Sequence, residues 1–157
     1  MTANWKGTLA LLVRILVGGT LATAGYMKLL SPAEEFAAVL GAEQILPAPW
    51  IFPAAHLLPW AELFLGSSLL LGYLTKASAW GNLILLASFI ISTALSLWKG
   101  TALSDCGCFG TWGPKLSPAQ ILGLDSLLLL GVVLLVRYHS PGTHHPWSLD
   151  AWLNRKP

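Results

Sequence analysis

ASAWGNLILLASFIISTALSLW, residues 77–98, contains no charged side chain. A run this long and apolar suits the hydrocarbon core of a bilayer, which about 20 helical residues cross. Trp80 and Trp98 stand near its two ends, 18 residues apart. On a helix that is about 27 Å, so each indole falls at one interface of a core about 30 Å thick. Three further segments have the same character, at residues 8–30, 51–74 and 119–138. Lipid supplies no water to unpaired backbone groups, so all four are expected as helices. The alternating pattern of a membrane barrel is absent.

Composition agrees with the segments. The 157 residues are 55% hydrophobic and 10% charged, against about 25% charged in soluble domains. A chain this short has too little interior to hide so much apolar surface from water. The expected fold is therefore all-α: a polytopic membrane protein with a four-transmembrane-helix bundle, forming a single domain over residues 1–157. A net charge of +2 without a basic stripe gives nucleic acid no footprint. The first segment follows Lys6 and ends near Ala22 and Ala24, as a cleaved leader would. Arg14 interrupts it and it is long for a leader, so a retained span is expected.

The bias of positive charge sets the orientation. With the N-terminus inside, the inner side carries Lys6, Lys76, Arg137, Arg155 and Lys156, and the outer side Lys99 and Lys115. The expectation is N-in and C-in in the cytoplasmic membrane, with the loop between the third and fourth spans on the extracytoplasmic side. Trp5, Trp50 and Trp112 fall at predicted interfaces, and Trp147, Leu149, Trp152 and Leu153 are expected to hold the tail at the inner one. The first outer loop predicts a short amphipathic helix. Ser31 is positioned to cap it, Pro32 suits its first turn and Glu34 completes a capping box. Phe36, Val39 and Leu40 share a face, and Gly41 is expected to end it. It would lie on the outer membrane surface, with a lid over the loop between the third and fourth spans as the alternative.

Arg14, Glu62 and Asp125 sit inside the spans, and Lys28 about one turn from an outer end. Ionisable groups are costly in lipid and normally face the bundle interior in pairs. Depth pairs Arg14 with Glu62 and Lys28 with Asp125; a Lys28–Glu62 pair is the alternative register. Such pairs either fix helix order or line a polar cavity for protons or a quinone headgroup. Gly18 and Ala22 on the first span, and Ser88, Ser92 and Ser96 on the third, form small-residue stripes suited to close packing.

Cys106-Gly-Cys108 in the loop between the third and fourth spans holds the only two cysteines. A disulfide between them would close a very small, strained ring. Strain makes such a bond a better oxidant, and a ring this short offers little as a staple. The outer side is also where disulfides persist. Thiol–disulfide exchange, metal binding and an inert pair compete. The loop lacks further soft ligands, and His144 and His145 lie on the opposite predicted side, so no metal site is expected. His56, near the outer end of the second span, is a candidate to lower a thiol pKa, or is simply an interfacial side chain.

Several local patterns bear on a family. Arg14 followed by Gly25-Tyr-Met-Lys28-Leu-Leu-Ser-Pro32 resembles the first helix of DoxX-like membrane proteins. Leu58-Pro59-Trp60-Ala-Glu62-Leu63, with Gly66 and Gly72, resembles their second. Asp105-Cys-Gly-Cys-Phe-Gly110 narrows the likeness to the MauE branch, the methylamine-utilisation type. The resemblance spans about residues 8–138. It implies a four-helix membrane protein tied to redox chemistry, with Arg14, Lys28, Glu62 and Asp125 at characteristic polar positions and Cys106 and Cys108 as the redox pair. The expected activity is thiol–disulfide exchange with an exported, disulfide-bonded or thioredoxin-like partner, with a membrane quinone as the candidate electron acceptor. A non-catalytic assembly subunit of a membrane redox complex is the alternative. Four-helix disulfide generators usually carry a second cysteine pair, which this chain lacks.

Overall fold

A computed structural model describes residues 5–102, 109–110, 113–138 and 150. Cys106, Cys108, Trp112, His144, His145 and the tail anchors Trp147, Leu149, Trp152 and Leu153 lie outside the described residues. Among the described residues, five helices follow one another: α1 (Trp5–Leu29), α2 (Ala33–Ala42), α3 (Ala48–Leu71), α4 (Thr75–Lys99) and α5 (Pro118–Tyr138). All but α2 are long and apolar enough to cross a membrane. The chain is an integral membrane protein in contact with the bilayer.

The four spans form a ring in which α1 packs on α3 and α5, and α4 closes it between α3 and α5. Close backbone approach explains the α1–α3 contact. A Cβ added at Gly18 would stand 2.7 Å from the Gly66 carbonyl oxygen, and one at Gly25 would stand 2.6 Å from that of Pro59. Between helices in lipid, where burial gains little, such close contact is the main adhesive. The predicted stripe on the first span packs as expected. Ser88 and Ser92 instead line a cavity, while Ser96 is buried.

Both ends of α3 and of α2 differ from expectation. The second span starts three residues earlier and stops at Leu71, because Gly72 takes φ +69°. Its N–H and that of Tyr73 return to the Leu69 and Ser68 carbonyls, a glycine-terminated helix end. In α2 the cap position falls on Pro32 rather than Ser31, and a proline offers no side-chain cap hydrogen bond. Gly41 does not stop the helix, which runs on to Ala42.

At the end of the bundle away from α2, Asp150 holds the α3–α4 turn. Its carboxylate accepts hydrogen bonds from the Leu74 and Thr75 N–H groups at 3.0 and 2.9 Å, and from the Thr75 hydroxyl at 2.8 Å. A carboxylate there satisfies orphan donors and complements the helix dipole. Leu74 sits at φ +46°, a conformation disfavoured for a leucine, so the anchor also holds a strained residue. Asp150→Ala is expected to destabilise the protein by about 1 kcal/mol, read from detergent-phase thermal unfolding. An unchanged midpoint would show the cap to be inert.

The bundle is solid at one end and hollow at the other. Val17, Leu69, Leu86 and Val132 are no more than 1% exposed and sit in the core cluster of the end remote from α2. Toward α2 the helices diverge around a cavity.

Candidate functional site

The cavity has a volume of about 620 Å³, within the usual range of small-molecule sites. Its walls are mostly aliphatic. Its floor carries Lys28 from α1, Glu62 from α3 and Asp125 from α5, three of the four intramembrane charges read from the sequence. Helix α2 closes it from above with Phe36, Val39 and Leu40. The apolar face of this amphipathic helix therefore covers the cavity. Leu57 on α3 and Ile91 on α4 line the cavity and are also 68% and 59% exposed. Between these adjacent helices the cavity opens sideways, toward lipid.

The charges pair in the alternative register. Lys28 Nζ donates to Glu62 Oε1, with both side chains buried. Helical side chains lean toward their own N-terminus. In antiparallel helices Lys28 therefore leans down and Glu62 up, and their tips meet. The same lean carries Arg14 away from Glu62. Its Nε and Nη2 donate to the Leu69 and Leu70 carbonyls at 3.0 and 3.3 Å, in the last turn of α3, where the Leu69 carbonyl also accepts from the Gly72 N–H. Glu62 lies eight residues before Leu70, about 12 Å along the helix, too far for the Arg14–Glu62 pair expected from depth. Nor does Lys28 bond Asp125, although Asp125 lies within electrostatic reach of both Lys28 and Glu62.

Lys28 is enclosed further by two rings, its Nζ standing 5.0 Å from the centroid of Phe36 and 5.3 Å from that of Phe89. Glu62 Oε2 is buried and has no hydrogen-bond partner among the described residues. Asp125, 8% exposed, also makes none among them. Near the roof, half-buried Glu43 hydrogen-bonds Ser92, and burial raises its carboxyl above the usual range against that bond. Lys99 Nζ donates to the Gln44 carbonyl and Thr101 Oγ1 to that of Glu43, tying the end of α2 to the end of α4.

The residues after the cysteine pair reach this site. Phe109 lines the cavity. Gly110, at φ +67°, lies so close to α1 that a Cβ there would stand 3.1 Å from the Met27 carbonyl and 3.2 Å from the Lys28 Cα. The chain bonds Cys108 directly to Phe109. His56 is elsewhere. Its ring packs on Phe52 at 5.4 Å, its Nδ1 meets the Phe52 carbonyl at 3.0 Å, and it faces outward from α3.

The sequence reading singled out Arg14, Lys28, Glu62 and Asp125, and the structure brings the last three together while assigning Arg14 to the far end of the helix pair. It missed Phe36 and Phe89 as the enclosure of Lys28, and Glu43 as a cavity group. A phenylalanine on the loop helix facing a lysine at the end of a span was the available signal. An aliphatic cavity with charged groups in its lining suits an apolar molecule with a polar end. No curated protein and no solved structure shows a significant match to the chain. A family model described as methylamine utilisation protein MauE matches residues 6–138. With nearly the whole bundle matched, the chain belongs to the MauE family.

Proposed function

We propose that the chain is a membrane thiol–disulfide oxidoreductase whose Cys106–Cys108 pair oxidises an exported or thioredoxin-like protein on the extracytoplasmic side. The observation that supports it most is the seating of Phe109 in the wall of the charged cavity, one bond from Cys108. In the exchange, two S–H bonds of the partner break and its S–S bond forms, while Cys106 and Cys108 take the electron pair and two protons as their own S–S bond opens. A membrane quinone supplies the two-electron sink that regenerates the pair. The aliphatic wall and lateral opening between α3 and α4 suit its entry from lipid, and Lys28 and Asp125 offer hydrogen-bonding groups at the floor.

Cysteine trapping in membranes tests this. Cys106→Ser and Cys108→Ser are each expected to change the pattern of mixed disulfides, one of them accumulating a covalent adduct with an outer-side protein. Survival of function in the double variant would sink the redox reading. A second reading is a non-catalytic assembly or accessory subunit of a membrane redox complex, which the family's link to methylamine utilisation accommodates equally. In that case the double variant functions normally and no adduct appears.

A further inference from the structure

The floor of the cavity holds one ammonium and two carboxyl groups. Lys28 bonds Glu62, and among the described residues no other lysine or arginine lines the cavity. From the remaining elements, α2 ends on Glu43 at the roof, while α4 contributes Ser88, Ser92 and Thr93 and no titratable group. With both floor carboxyls ionised, the site would carry an uncompensated negative charge inside the hydrocarbon layer, which is expensive there. One proton on the cluster makes it neutral. Glu62 is fully buried and ion-paired through Oε1. Asp125 is the carboxyl without a hydrogen bond among the described residues, and it borders the cavity space.

We propose that Asp125 is the proton-exchanging residue of the cavity, protonated at rest and able to pass its proton to an oxygen-bearing molecule bound beside it. The direction of transfer rests on the proposed function. Reduction of a bound quinone requires two electrons and two protons. The electrons leave Cys106 and Cys108 as their S–S bond forms and their two S–H bonds break. Asp125 gives one proton to a quinone oxygen and is reprotonated by one of the two that the thiols release; the other thiol proton goes to the second oxygen. The unpaired Glu62 Oε2 remains available throughout to accept a hydrogen bond from the protonated Asp125 or from the reduced ligand.

Infrared spectroscopy of the full chain in lipid nanodiscs, in H2O and D2O, tests the resting proton without turnover. A protonated-carboxyl stretch is expected in the wild type at neutral pH, shifted by D2O, lost in Asp125→Asn and retained in Glu43→Gln. Asp125→Glu is expected to keep the band at a shifted frequency, which gives a readout should the asparagine variant fail to fold. Absence of the band in the wild type would overturn the proposal. So would its persistence in Asp125→Asn with loss in Glu62→Gln. A band present in the Cys106→Ser/Cys108→Ser protein supports the proton site whether or not the cysteines are redox-active, so the two readings fail separately.

Discussion

Lys28→Met is expected to destabilise the bundle by about 3–5 kcal/mol, the typical cost of stranding one partner of a buried ion pair. Glu62 is fully buried, and among the described residues no second cation lines the cavity to replace the ammonium. Glu62→Met is expected to cost less, because Asp125 lies within electrostatic reach of Lys28 and can ionise to take over the pairing. The double replacement Lys28→Met/Glu62→Met should recover most of the loss, since apolar substitutes for a buried pair are often neutral or better. Reversible unfolding in mixed micelles measures all three. Equal costs for the two single variants would show that Asp125 does not couple to the pair.

Gly66→Leu is expected to prevent the bundle from assembling. A Cβ at Gly66 would already stand 2.5 Å from the Ala22 nitrogen and 2.9 Å from the Gly18 oxygen. These neighbours are backbone atoms of α1, so relief requires the helices to separate. Gly66→Ala should cost about 1–3 kcal/mol, as overpacking typically does, and a leucine considerably more. Gly19 and Gly123 are the controls, since nothing stands within 4 Å of a Cβ at either position. Leucine there should leave yield and monodispersity in detergent unchanged. A Gly66→Leu protein that purifies as well as Gly19→Leu would refute the close-contact account of α1 and α3.

The four spans were legible because lipid demands long apolar helices, and a length rule of that kind survives errors of a few residues at the ends. The ends themselves depended on backbone conformation. Gly72 had been read as part of the second span, whereas its positive φ terminates the helix. The polar positions were visible as exceptions to hydropathy, but their pairing was not. Depth alone placed Arg14 with Glu62, and the lean of helical side chains reversed that choice for both members. Ser88 and Ser92 illustrate a different limit. Small residues at regular spacing signal either a packing face or a cavity wall, and only the divergence of α4 from α1 distinguishes them.

The packed half of the bundle has a consequence for bioenergetics. Among the described residues, Val17, Leu69, Leu86 and Val132 pack the bundle between the cavity and the far face. A full crossing would couple each charge to the membrane potential by about 2.3 kcal/mol per 100 mV; entry to the cavity and return to the same face couples it to nothing. Proton exchange confined to the cavity's own side is therefore electroneutral, indifferent to whether the membrane around it is energised or collapsed.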